Sequence, residues 1–199
     1  MNVIGIDPSL TNTAVCVLDE RGNVVGQKRF ASKPAYGLRA RIERFNKLAE
    51  EVCEYACTHA INHLGWSYVC IEGYAYSRNE VGQADQHEFG GLLRSMLLAK
   101  IMSLQPIEVG PTSLKKFVVG KGNAKKSQMM LAVYKRWGVE CATDDDADAY
   151  GLARMALCLG GYAEPENVQQ REAIATVLAP PKISKKRSKA AVDTAACGD

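Results

Sequence analysis

The stretch from Asn2 to Thr13 constrains this chain more than any other. Val3, Ile4 and Ile6 form a β-branched apolar run that reads as a strand buried on both faces. Gly5, inside that run, lets another backbone or a ligand come close. Asp7 stands where the run stops, and Pro8 forbids its continuation as a central strand. A carboxylate at the end of a buried strand is costly unless a cation, a metal or hydrogen bonds compensate it. The local alternative is a turn cap using Ser9 and Thr11. Three further carboxylate positions weigh against it.

The remaining elements follow in order. Thr13 to Leu18 reads as a second strand and Val24 to Phe30 as a third, so short turns predict an antiparallel meander. A loop over 31–37 precedes an amphipathic helix from about Leu38 to His63, in which Ile42, Phe45, Leu48, Val52 and Tyr55 recur at helical spacing. Ser67 to Glu72 is a fourth buried strand, again ending in a carboxylate. A polar loop from Gly73 to Gln86 carries Tyr74, Tyr76 and Arg78, and a helix runs from about His87 to Ser103. Ile107 to Val109 is a short fifth strand, and Pro111 opens a helical turn. Helices over Lys125 to Trp137 and Asp144 to about Leu159 complete the core, with one more short helix expected within 162–179. The expected class is α/β: a five-stranded mixed sheet, with strands 1-2-3 as an antiparallel meander plus two further strands, flanked by helices. The expected organisation is one domain over 1–161, an extra helix within 162–179, and a disordered basic tail over 180–199.

Charge is unevenly placed. The net charge of +3 resides in residues 180–199, leaving a neutral body in which affinity for nucleic acid must come from local patches. No apolar run approaches the roughly 20 residues of a membrane span and no leader opens the chain, so no membrane association and a cytoplasmic location are expected. Seven cysteines, odd in number and scattered, read as reduced and mostly buried thiols. Cys53, Cys57, His59 and His63 loosely suggest a zinc site, but all four lie on one predicted helix and cannot converge on one tetrahedral ion.

The acids are the stronger candidate, because Asp7 and Glu72 meet at one point if the strands that carry them are neighbours. Asp7 and Glu72 each end a predicted interior strand, where open α/β sheets place their ligands. Asp144, Asp145, Asp146 and Asp148 supply the rest; Asp145 and Asp148 share one helix face, with Cβ atoms about 5–6 Å apart. Capping and the helix dipole explain one or two of these acids, whereas four in five positions are more than a cap needs. Converging carboxylates call for hard divalent cations, with Mg²⁺ the natural choice. Two such ions about 3.5–4 Å apart can activate water and stabilise a leaving oxygen at a phosphodiester.

Lys115, Lys116, Lys121, Lys125 and Lys126 fall within twelve residues with no acid among them. Gly120, Lys121 and Gly122 precede a helix N-terminus, a geometry that receives phosphate oxygens, although the spacing is not that of a P-loop. Such a run is either a solvated face or a grip on a nucleic-acid backbone; beside a phosphodiester-cutting site it favours the grip. Tyr74, Tyr76 and the nearby Arg78 are candidates to touch unpaired bases.

Gly5-Ile6-Asp7-Pro8, Ile71-Glu72, the block from Val118 to Gln128 and the block from Asp145 to Ala149 together resemble the RuvC family of Holliday-junction resolvases, within the ribonuclease H-like superfamily. The resemblance runs from residue 1 to about 160. It implies a homodimer that binds branched DNA and nicks paired strands, leaving 5′-phosphates, with two Mg²⁺ ions per site and Mn²⁺ able to substitute. It implies Asp7, Glu72, Asp145 and Asp148 as catalytic acids and metal ligands, and Lys115 and Lys126 as DNA contacts. Ala75 stands where the family carries its stacking aromatic, leaving Tyr74 and Tyr76 as neighbours. The turn from Ser9 to Thr13 looks more like virus-encoded members than cellular ones, which leaves bacterial or host cytoplasm as the expected location. No helicase partner is identifiable.

Two other classes compete: a branched-DNA-binding protein that keeps the fold without the chemistry, and an actin-like phosphotransferase suggested by the Gly-Ile-Asp opening. The second normally needs a duplicated domain, for which 199 residues leave no room. Truncation before Pro180 is expected to flatten the salt dependence of DNA binding without moving a cleavage site, as read by binding titrations at several ionic strengths.

Overall fold

A computed structural model describes residues 1–60, 67–74, 82–100 and 104–179. Five strands, β1 (Asn2–Asp7), β2 (Thr13–Asp19), β3 (Val24–Phe30), β4 (Ser67–Glu72) and β5 (Leu104–Val109), form one sheet in the order β3-β2-β1-β4-β5. β1, β2 and β3 pair antiparallel, whereas β4 lies parallel to both β1 and β5. Six helices accompany them: α1 (Leu38–Ala60), α2 (Gln83–Lys100), α3 (Pro111–Val119), α4 (Lys126–Trp137), α5 (Asp144–Leu159) and α6 (Val168–Leu178).

Side chains alternate along a strand, so each central strand feeds two cores. Ile4, Ile6, Val15, Val17, Val69 and Ile71 pack beneath α1 and α2. Val3, Cys16, Leu18 and Cys70 pack on the opposite face with α3, α4 and α5. That second face includes Gly5, whose added Cβ would lie 2.1 Å from the Ala149 carbonyl oxygen and 2.4 Å from the Ala153 nitrogen. The missing side chain lets α5 lie directly on β1. By the same alternation, Asp7 and Glu72 project from the sheet on the α5 side. Ile6 is opposite Ile71, so the two acids follow on neighbouring strand ends.

The sheet is the five-stranded mixed one expected, with small differences in element length. α2 begins at Gln83 rather than His87, because Asp85 suits a first turn and Gly82 takes up the positive φ that precedes it. β5 begins at Leu104 rather than Ile107; Pro106 is tolerated because β5 is an edge strand. Pro111 starts a nine-residue helix rather than a single turn, and α4 starts at Lys126 with Lys125 as its N-cap. The expected helical ends at 61–63 and 101–103, His63, Tyr76, Arg78 and the basic tail lie outside the described residues. β3 forms the other edge, with most of its residues exposed, Lys28 and Arg29 among them.

The segment after α5 is laced to the body. Glu166 accepts a hydrogen bond from Trp137 Nε1 at 2.9 Å and lies 3.7 Å from Arg136 and 3.6 Å from Arg154. Glu172 on α6 pairs with Lys116 on α3 at 2.7 Å. Gly5→Ala is expected to destabilise the protein by about 3 kcal/mol, since backbone atoms of α5 must move. Urea denaturation measures this, and an unchanged midpoint would contradict the close approach.

Candidate active site

β1 and β4 deliver Asp7 and Glu72 to one edge of a cleft of about 580 Å³, and the first turns of α5 deliver Asp145 and Asp148 to the same space. Lys115 on α3 and Lys126 on α4 line it as well. All four acids singled out from the sequence are therefore brought together with two of the five lysines. Asp7 is 7% exposed despite its charge.

Burial, first of all, pushes the Asp7 carboxyl well above the usual carboxylate range, and the charges of Glu72, Asp148 and Asp145 add to it. Burial raises Glu72 too, but its hydrogen bond with Asp7 and the charges of Lys115 and Lys126 pull it back. The two carboxyls are therefore coupled, and burial and mutual repulsion disfavour the charged form most strongly at Asp7. Asp148 is pushed up to about 7, chiefly by burial and then by Glu72 and Asp144.

The aspartate cluster is divided by its neighbours. Asp144 is paired with the Lys126 ammonium, which lowers the acid and raises the lysine. Asp145 accepts a hydrogen bond from the Asn12 side-chain amide. Asp146 is buried and turned away: its carboxylate accepts from the Thr143 nitrogen at 3.1 Å, its own nitrogen donates to the Thr143 hydroxyl, and Arg29 stands 3.6 Å off. Capping therefore accounts for Asp146, and the spacing argument for Asp145 and Asp148 for the other pair.

Other expected contacts are placed differently. Lys116 points to α6 and is held there by Glu172. Lys121 and Lys125 are exposed on the connection between α3 and α4. Tyr74 lines the cleft, but its ring lies under the Arg94 guanidinium at 4.4 Å and its hydroxyl donates to the His87 carbonyl at 3.2 Å. One face of its ring is therefore covered. Of the cysteine-histidine group, Cys53, Cys57 and His59 lie on α1, with Cys53 fully buried, and His63 lies outside the described residues.

Several residues that organise the site carry no local signal. The Gln86 side chain donates to the Pro8 carbonyl at 2.5 Å and accepts from the Leu10 nitrogen at 3.3 Å, holding the turn after Asp7 from α2. Arg94 donates to the Glu72 carbonyl at 2.7 Å, to the Gly90 carbonyl at 2.9 Å and to Glu108 at 3.1 Å, fixing the end of β4. Asn12 reaches across 133 residues of sequence to Asp145. Only the tertiary fold creates these pairs.

Among the described residues, no three acidic, cysteine or histidine side chains enclose a metal ion unaided. The donors nevertheless fit a hard divalent cation. The Asp148 Oδ1 atom is buried without a hydrogen-bond partner among the described residues, beside an all-oxygen set of acids. Mg²⁺ uses one or two protein carboxylates and completes its shell with water and phosphate oxygens, so it needs no closed protein cage.

A mixed sheet in this order, with acids at two adjacent strand ends and on the helix packed across them, defines a ribonuclease H-like nuclease. The family model for crossover junction endodeoxyribonuclease RuvC matches residues 3–158, and the chain belongs to that family of metal-dependent nucleases. The crossover junction endodeoxyribonuclease RuvC of Ehrlichia canis is 28% identical over 158 residues, covering 77% of this chain and 94% of that protein. The one from Cupriavidus metallidurans is 29% identical over 154 residues, covering 77% and 81%. The solved structure of Thermus thermophilus RuvC in complex with a Holliday junction substrate superposes with a TM-score of 0.62 at 18% identity, over 81% of this chain and 96% of that one.

Asp7 and Asp148 are raised above their unfolded values, so the metal-free protein keeps their full contribution to stability below about pH 4. It loses that contribution as pH rises through the folded values, which for Asp148 means about 7. Thermal melts in EDTA are expected to weaken across this window by a few kcal/mol. Added Mg²⁺ should restore more stability at pH 8 than at pH 5, and an equal Mg²⁺ response at both would contradict the crowding of the acids.

Proposed function

We propose that this chain is a crossover junction endodeoxyribonuclease acting on four-way or related branched DNA. The observation that carries this reading is the meeting of Asp7, Glu72, Asp145 and Asp148 in one cleft rimmed by Lys115 and Lys126. The four acids would hold two Mg²⁺ ions, for which Mn²⁺ can substitute. When bound, these ions supply Lewis-acid charge at the scissile phosphate and lower the pKa of water.

The chain's own groups do the rest. Glu72 and Asp7 present paired carboxylates from strand ends, and Asp148 brings an oxygen with no hydrogen-bond partner among the described residues. Lys115 and Lys126 flank these acids and offset negative charge on an entering DNA backbone. Lys121 and Lys125, exposed next to them, extend the contact along the phosphates. Two such clefts on a homodimer would give the paired nicks a four-way junction requires, leaving 5′-phosphates. No helicase partner is proposed.

The test is cleavage of a labelled immobile four-way junction against linear duplex, with Mg²⁺, Mn²⁺ or EDTA. Paired nicks near the crossover, seen only with metal, are expected. Asp7→Asn and Glu72→Gln should each reduce cutting by about a thousandfold or more while preserving junction binding. Tight binding by the unaltered protein without any cut would favour the non-catalytic alternative.

A further inference from the structure

We propose that Asn12 is a positioning residue for Asp145: its amide group, carried on the turn that follows β1, fixes the carboxylate that α5 offers to the metal site. The proposal rests on the metal-site reading above and concerns how one ligand is held.

The turn is rigid before Asn12 contributes to it. Thr13 is buried, its hydroxyl donating to the Ser9 carbonyl at 2.6 Å and accepting from the Ser9 nitrogen at 3.1 Å. Gln86 holds Pro8 and Leu10 from α2. On the other flank, Arg44 and Ser32 both donate to the Leu10 carbonyl. The backbone at Asn12 is therefore placed by contacts that do not involve its side chain.

That leaves the amide for another purpose, and it is spent on Asp145 Oδ2. Because a carboxylate can only accept, the contacting atom must be the amide nitrogen. One oxygen of Asp145 is thus tied, which fixes the rotation of the group and leaves its other oxygen for the cleft. The same turn continues from the strand bearing Asp7, so a single rigid segment holds one acid and aims another.

The neutrality of the donor matters. The neighbouring Asp144 is held by the Lys126 ammonium, which cancels its charge. Asp146 is held by Thr143 and faced by Arg29. Asp145, unlike its two neighbours, has no cation within ion-pair distance among the described residues, so the neutral amide orients its carboxylate without a competing positive partner. Groups that orient a metal ligand in this way typically account for a tenfold or greater part of metal affinity.

The test uses the full chain without DNA, melted in EDTA and across a Mg²⁺ titration at pH 8. The variants are Asn12→Ala and Asn12→Asp. Asn12→Ala is expected to raise the half-saturating Mg²⁺ concentration about tenfold. Asn12→Asp should melt below Asn12→Ala in EDTA, since a carboxylate then faces Asp145. Asparagine and aspartate serve a turn equally well. A turn-forming role would therefore leave Asn12→Asp like the unaltered protein, and that result would overturn the proposal. A Mg²⁺ titration of Asn12→Ala that superimposes on the unaltered protein would also overturn it. If the unaltered protein shows no response to Mg²⁺, the metal-site reading falls first and takes the proposal with it.

Discussion

The approach of α5 to β1 governs the geometry of this protein. A helix normally rests on a sheet through side chains, but here the helix backbone at Ala149 and Ala153 meets the strand at a glycine. The intimacy is continued by the small residues Ala147, Ala149, Ala153 and Ala156 along α5. With the helix seated this low, its first turns lie level with the ends of β1 and β4. Two acids from the helix and two from the strands then occupy one cleft, though 65 residues separate the strand acids from each other and more than 70 separate them from the helix.

This convergence works against the fold. Asp7 and Asp148 are held in surroundings that disfavour their charged forms, and a hydrogen bond between Asp7 and Glu72 eases part of the conflict. Two apolar cores, one on each sheet face, supply the stability against which such crowding can be maintained. The cations are kept at the rim: Lys126 is mostly exposed and occupied with Asp144, so the interior of the cleft stays negative. Such crowding of acids is the electrostatic setting that a divalent cation would relieve.

The sequence was legible where physics is local. Short apolar runs bounded by turn residues located the strands, β5 only over its last three residues, and the spacing of Asp145 and Asp148 placed both toward the cleft, because such runs and the helical repeat are short-range signals. Residues joined only by the tertiary fold could not be read. Nothing near Gln86, Arg94 or Asn12 marks them as the supports of Asp7, Glu72 and Asp145. Lys116 looked equivalent to Lys115 by composition, yet a helical step of one residue turned it to α6 and Glu172. Tyr74 had the right position to face DNA, but Arg94, twenty residues on, covers one face of its ring. Within the aspartate triplet, partners from the turn after β1, from β3 and from α4 decided which acid faces where.

The two margins of the sheet carry a consequence of another kind. At one margin β5 contains Pro106, which has no amide hydrogen to offer an incoming strand. At the other, β3 exposes Lys28 and Arg29, charges that oppose strand addition. Both margins thereby disfavour strand addition. Were two copies to pair, helical surfaces would offer the better contact, and the angle and distance between their clefts would then follow how helices nest and not strand register.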